Sequence, residues 1–262
     1  MDALEKCGLY GIFGVNDAAR HVYQGIYALQ HRGQESAGIV STDGSNLMTY
    51  KGMGLVGDIF TESALSRLVG DAAIGHVRYS TTGSSNINNA QPFVINYSHG
   101  QIAIAHNGNI VNAAALRREY EAQGSIFQTT MDSEVILHVL AKTSKRGANG
   151  KIEDALRRVH GAYSLLFLTP HYMVAARDPN GIRPLCIGRM GNAWMVASET
   201  CAFDLTGGVF VREVEPGEVV YISQTGIRSA RIVPREEARP HYCIFEHIYF
   251  ARPDSFIFGD SV

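Results

Sequence analysis

The sequence predicts an α+β protein in which antiparallel sheets are flanked by helices. Apolar segments of strand length come in pairs joined by short polar turns, at residues 36–52, at 93–109 and around 172. Helical periodicity is confined to one stretch near the start and one block over roughly 111–160. The order is strand-rich, then helical, then strand-rich, without the strand–helix alternation that a parallel sheet needs.

Taken in order, GLYGIFGV (8–15) is short and apolar, as a buried strand should be. In NDAARHVYQGIYALQHRG, Val22, Ile26 and Leu29 with Tyr23 and Tyr27 recur at helical spacing. Asn16 or Asp17 can cap that helix and Gly33 can close it. SAGIVSTDGSNLMTYKG (36–52) predicts a hairpin over Asp43-Gly44. AAIGHVRYS (72–80) is a strand running into a polar loop, and FVINYSHGQIAIAHNGN (93–109) reads strand, His99-Gly100 turn, strand. Helices are predicted over 111–124, 132–143 and 151–160. A further hairpin then leads into short strands in CIGRM, AWMVASE, VVYIS and IRSARIV, up to about 233. From PREEARPHYCIFEHIYFARPDS onward the composition shifts, and a second unit is expected to begin there.

Composition narrows the function classes. The chain has 262 residues, 45% hydrophobic and 18% charged, with a formal net charge of −2, so neither a nucleic-acid footprint nor global disorder is expected. No run approaches eighteen apolar residues, so no membrane span is predicted. The four cysteines, at 7, 186, 201 and 243, form no CxxC pair. That spacing argues against a disulfide framework or a zinc site built by this chain alone, and for a cytoplasmic location.

Chemistry is concentrated at strand ends. A cysteine flanked by apolar residues is more often a small buried hydrophobe than a nucleophile, but Cys7 stands at the mouth of the first strand. Removal of Met1–Lys6 would give it a free α-amine. That group titrates near 7.7–8.0, against about 8.5 for the thiol, so it can accept the thiol proton. Arg78 lies inside an apolar strand, which suits either a structural ion pair or a bidentate grip on a substrate carboxylate. Asn107-Gly108 is a turn signal, yet an amide beside a glycine N–H is also what an oxyanion hole needs. Asp132 can cap a helix or pair with an ammonium group. Arg32, Gln34 and Glu35 sit in a helix-to-strand connection, and Arg177 and Arg183 flank a turn.

Read together, CGLYGIFG, LQHRGQESAGI, GHVRYST, AHNGN, TTMDSE, GAYSLLFL, ARDPNGIRPL and YFARPDS resemble the motifs of the amidophosphoribosyltransferases, in that family's order. The first five are similar to those of class II glutamine amidotransferases generally; ARDPNGIRPL and YFARPDS point more narrowly. The resemblance covers Cys7 to Val262. It implies the N-terminal nucleophile hydrolase fold, a four-layer αββα sandwich of two antiparallel sheets. By motif it implies Cys7 as nucleophile, Asn107 and Gly108 as oxyanion hole, and Arg78, Thr81 and Asp132 around the amino-acid end of L-glutamine. Arg32 falls in the loop that orders near the thiol.

The same resemblance sets out three regions: a propeptide over 1–6, a glutaminase domain over 7–235, and a junction with the start of a truncated phosphoribosyltransferase domain over 236–262. The full-length enzyme would use phosphoribosyl pyrophosphate and magnesium (Mg2+) at its other site and form a homodimer or tetramer. The loops of that other site are absent from this sequence, so hydrolysis of glutamine is the most expected of it alone. Cys243 matches one ligand of the iron–sulfur (4Fe-4S) cluster that members with a propeptide often carry. Family members usually have an acidic residue directly before the nucleophile, whereas this chain has Lys6. The rival expectations are the glutaminase part of another class II amidotransferase and a non-catalytic glutamine-sensing module.

Overall fold

The computed structural model describes residues 7–79, 86–143 and 151–262. In β1 (Gly8–Phe13) Leu9 and Phe13 face one apolar layer, while Tyr10 and Ile12 face another. Successive side chains alternate between the faces of a strand, and because both faces are covered the strand reads as continuously apolar.

After β1 come α1 (Ala18–Ala28), β2 (Ser36–Thr42), β3 (Leu47–Met53), the short helices α2 (Val56–Ile59) and α3 (Glu62–Leu65), and β4 (Ala72–Arg78). Next are β5 (Phe93–Tyr97), β6 (Gly100–Ile110) and three helices, α4 (Ala113–Ala122), α5 (Glu134–Lys142) and α6 (Lys151–Leu156). Strands resume in β7 (Gly161–Leu168), β8 (Tyr172–Arg177), β9 (Cys186–Met190) and β10 (Ala193–Ala197). Beyond α7 (Cys201–Thr206) lie β11 (Val209–Glu213), β12 (Glu218–Ser223) and β13 (Gly226–Arg231).

One sheet has seven strands in the order β11-β9-β10-β1-β4-β2-β3, the other six in the order β13-β12-β8-β7-β6-β5. Neighbouring strands pair antiparallel throughout. Leu9, Val40 and Ile74 of the first sheet meet Ala103, Leu166 and Met173 of the second in the layer between them. On the outer face of the first sheet, Val22 and Ile26 of α1 and Phe203 of α7 pack over Tyr10 and Ile12. On the outer face of the second, Leu116, Val135 and Ile152 from α4, α5 and α6 pack over Ile104, Leu165 and Phe167. The result is the expected αββα layering.

Details differ from the sequence reading. Asp17 stands at the start of α1 with φ 54° and makes no capping hydrogen bond through its side chain. Gly33 does not close α1 in a left-handed turn; its φ is −167°. Its side-chain-free Cα answers a close approach instead, because a Cβ there would lie 2.6–2.7 Å from the backbone of Val77 and Arg78. The helix predicted over 151–160 is regular only to Leu156. The short elements α2, α3, α7 and β11 carry too little periodicity to be read from sequence. No helix among the described residues is long and apolar enough to cross a membrane.

Residues beyond 235 lie against the same body. A π-helical turn, Glu246–Phe250, buries Glu246 and Phe250, and the pair β14 (Phe256–Ile257) and β15 (Asp260–Ser261) follows it.

Candidate active site

Because β1 begins at Gly8, Cys7 stands at its open end, half-buried. Gly8 pairs with Val77 across β4, which brings the Arg78–Tyr79 end of that strand alongside, with the Cys7 Sγ 3.8 Å from the Tyr79 carbonyl. On the other flank Leu9 N donates to Ser198 Oγ at 3.0 Å, just past β10. Arg32 Nε donates to the Cys7 carbonyl at 3.1 Å. The backbone carrying the thiol is therefore held by strands on both sides and by a guanidinium. None of the four cysteines is in a disulfide.

The second sheet reaches the same end, tied there by a hydrogen bond. His76 on β4 donates through Nε2 to the His106 carbonyl on β6 at 2.9 Å. Burial pushes the His76 imidazole down to about 3, so it serves as a neutral bridge between the sheets. The next residues on β6 are Asn107 and Gly108. Asn107 is 0% exposed, and neither its Oδ1 nor its Nδ2 has a hydrogen-bond partner among the described residues. An unsatisfied buried amide costs about 1–3 kcal/mol, which marks it as poised for something else. Gly108 has φ +141°, and a Cβ there would fall 2.0 Å from the Ala162 carbonyl oxygen, so only glycine fits beside β7. The two residues continue β6 rather than forming the turn that Asn-Gly suggests.

Asp132 completes this side. Its Oδ2 accepts from Ile110 N at 2.8 Å, and its Oδ1 lies 3.5 Å from His106 Nδ1. It does not cap α5; Ser133 occupies the N-cap position. Burial pushes the Asp132 carboxyl up, but His106 and the Ile110 N–H outweigh it and hold the group below its ordinary value, charged at neutral pH. Arg78 is almost wholly buried and pairs with Glu35 at 2.9 Å. A carboxylate partner is thus present at the predicted substrate-holding guanidinium, which fits the structural option raised for it. Thr81 and Met1–Lys6 lie outside the described residues.

Arg32 proves to be a hub. Its wholly buried guanidinium donates to Glu199 Oε1 at 2.6 Å and to Glu246 Oε2 at 2.9 Å. Burial opposes its charge, but Glu246 and Glu199 raise its pKa above the ordinary arginine value. Glu199 also accepts from Ser255 Oγ at 2.7 Å and Arg252 N at 2.9 Å, and meets His31 Nε2 at 2.9 Å. Burial works to raise the Glu199 carboxyl, yet Arg32 and His31 hold it at about 2. Arg183 Nη1 donates to Glu246 Oε1 at 3.0 Å. Neither glutamate is identified by the sequence reading. The signal that could find them is an acid inside or at the end of an apolar run, in WMVASE and CIFEHIYF.

Arg177 is confined to a structural role. It donates to the carbonyls of Gly181, Arg183 and Val214, fixing the turn it flanks. Cys243 is half-buried, and no group of three or more His, Cys, Asp or Glu side chains able to hold a metal occurs among the described residues. An iron–sulfur cluster needs several thiolates. Cys186 and Cys201 are sealed in the core, so the thiols of this chain do not fit such a cluster by themselves.

Two facing antiparallel sheets with helices outside both are the layering of the N-terminal nucleophile hydrolases, and the family described as "Glutamine amidotransferase domain" matches residues 76–204. The chain is 50% identical over 98% of its length to amidophosphoribosyltransferase 2 of Arabidopsis thaliana, 46% of which is covered. It is 47% identical over 98% of its length to the amidophosphoribosyltransferase of Bacillus subtilis, covering 54% of that protein. A solved glutamine phosphoribosylpyrophosphate amidotransferase from B. subtilis, complexed with ADP and GMP, matches with TM-score 0.92 at 46% identity. The match covers 97% of this chain and 55% of the other. Over nearly its whole length the chain is similar to amidophosphoribosyltransferases, and it spans about half the length of the curated relatives it matches.

Proposed function

We propose that this chain is the glutaminase half of an amidophosphoribosyltransferase, releasing ammonia from L-glutamine. The observation that carries the reading is the buried Asn107 amide, unpartnered among the described residues, on the strand that His76 ties to the Cys7 end of the sandwich. Attack of the Cys7 thiolate on the carboxamide carbon forms a tetrahedral oxyanion. The Asn107 Nδ2 and the Gly108 N–H are the donors for it, worth most where charge develops. Collapse breaks the C–N bond, the departing nitrogen takes a proton and leaves as ammonia, and a γ-glutamyl thioester remains. Water then attacks that thioester, giving glutamate and regenerating the thiol.

Asp132, charged at neutral pH, pairs with the substrate α-ammonium, and Arg78 takes the α-carboxylate by sharing or exchanging its Glu35 contact. Thr81 flanks that pocket. Cleavage between Lys6 and Cys7 supplies the α-amine that accepts the thiol proton; before it, the nitrogen is a peptide amide without basicity. In the whole protein the ammonia attacks phosphoribosyl pyrophosphate at a magnesium-dependent site, the first committed step of purine synthesis, in a cytoplasmic homo-oligomer. Those assignments rest on the names of the relatives and on the family resemblance.

Intact mass of the purified chain combined with glutamine hydrolysis tests the reading. Activity should follow the species that begins at Cys7. Cys7→Ala should abolish both hydrolysis and labelling by a glutamine-like diazoketone while leaving the circular dichroism spectrum unchanged. Hydrolysis by Cys7→Ala within tenfold of the parent would place the nucleophile elsewhere.

A further inference from the structure

At the end of the sandwich opposite Cys7, a cleft of about 640 Å³ opens beside the β5–β6 and β7–β8 turns. Gly100, which lines it, and Asn107 are seven residues apart on β6, about 23 Å at the rise of an extended strand. The cleft is therefore separate from the glutamine site. Its base is apolar, with Ile102, Leu140 and Ile152, and Tyr97 and Tyr172 add two rings. Ser45, Asn46, Asn96 and His171 stand at the exposed rim.

Lys151 makes this cleft unusual. It is 7% exposed, and its Nζ lies 2.7 Å from His99 Nε2. Among the described residues it has no carboxylate partner, and the described lining contains no Asp or Glu. The nearest acid in sequence, Glu153, is engaged by Tyr221 Oη at 2.7 Å. A buried ammonium without a counter-charge is costly, and here it borders a space large enough for a small molecule. Burial also pushes the Tyr97 and Tyr172 phenols up, so both remain protonated donors.

We propose that this cleft binds a small aromatic oxyanion, an aryl phosphate or aryl carboxylate, with Lys151 taking the anionic group and Tyr97 and Tyr172 flanking the ring. Such a ligand supplies the missing negative charge and covers the apolar base together. His171 and Asn46 at the rim add hydrogen bonds without being required for the charge match.

Calorimetric titration of the full chain with phenyl phosphate tests this, with inorganic phosphate and phenol as controls. Saturable phenyl phosphate binding is expected, at least tenfold tighter than either control, and weakened at least tenfold in Lys151→Met. On the unaltered protein the imidazole proton resonances of His99 and His171 should shift along the same binding curve, a readout that needs no variant. Absence of saturable binding, equal affinity for inorganic phosphate, binding by a folded Lys151→Met within twofold of the parent, or unmoved His99 and His171 resonances would each overturn the proposal.

Discussion

Asn107 has both amide atoms buried and neither hydrogen-bonded among the described residues, while its neighbour Gly108 is held where a Cβ would strike Ala162. A side chain that makes no hydrogen bond to the described residues is cheap to remove for stability and expensive for function. Asn107→Ala should therefore leave the melting temperature unchanged or raise it, while lowering kcat for glutamine hydrolysis by about 10²–10³-fold; thermal unfolding and steady-state kinetics read the two effects. Arg78→Lys keeps the charge beside Glu35 but loses the planar fork. It should raise KM for glutamine by at least about tenfold, one bidentate contact's worth of binding. Hydrolysis of a neutral amide lacking the α-carboxylate should change little. Equal effects on both substrates would confine Arg78 to its ion pair with Glu35.

Among the elements, the π-helical turn Glu246–Phe250 is joined to the thiol by buried charge. Glu246 takes Arg32 on one side and Arg183 on the other, and Arg32 in turn holds the Cys7 carbonyl. Replacing one member of such a buried set leaves its partners uncompensated, at a cost of about 3–5 kcal/mol. Glu246→Gln should show that loss in urea unfolding and expose residues 240–262 to limited proteolysis. Arg252→Ala removes only a half-exposed pair with Asp254 and should cost less than about 1 kcal/mol. The contrast between the two variants distinguishes the docked turn from its solvent-facing neighbour.

Across the whole molecule the same network joins parts of the chain that are far apart in sequence, with Arg32, Glu199, Glu246 and Ser255 meeting at one buried point. Its acid sensitivity follows from Glu199. Arg32 and His31 hold that carboxyl at about 2, against an ordinary value of 4.5. A group whose pKa is depressed by folding contributes its full stabilisation above the ordinary value and loses it as pH falls toward the folded one. Stability should therefore decline between pH 4.5 and about 2. Asp132 and Glu218, also held below their ordinary values, add to that slope. Urea midpoints measured from pH 6 to pH 2 should fall, and Glu199→Gln should flatten the decline while lowering stability at pH 7.

The order of the longer strands and helices, the hairpins over Asp43-Gly44 and His99-Gly100, and the placement of Cys7, Arg78 and Asn107 at or near strand ends can all be read along the chain. These are local matters, set by apolar period and by residues that favour turns. The motif resemblance extended that to the αββα layering and to the residues expected to handle glutamine. Which charges meet depends on the packing of distant segments. Arg32 finds Glu199 and Glu246 some 167 and 214 residues away, the Asn107 amide is left without a partner among the described residues, and Lys151 borders a cleft with no acid in its described lining. A buried charge or amide is defined by what surrounds it. Those surroundings come from strands paired across the chain, which no local window contains.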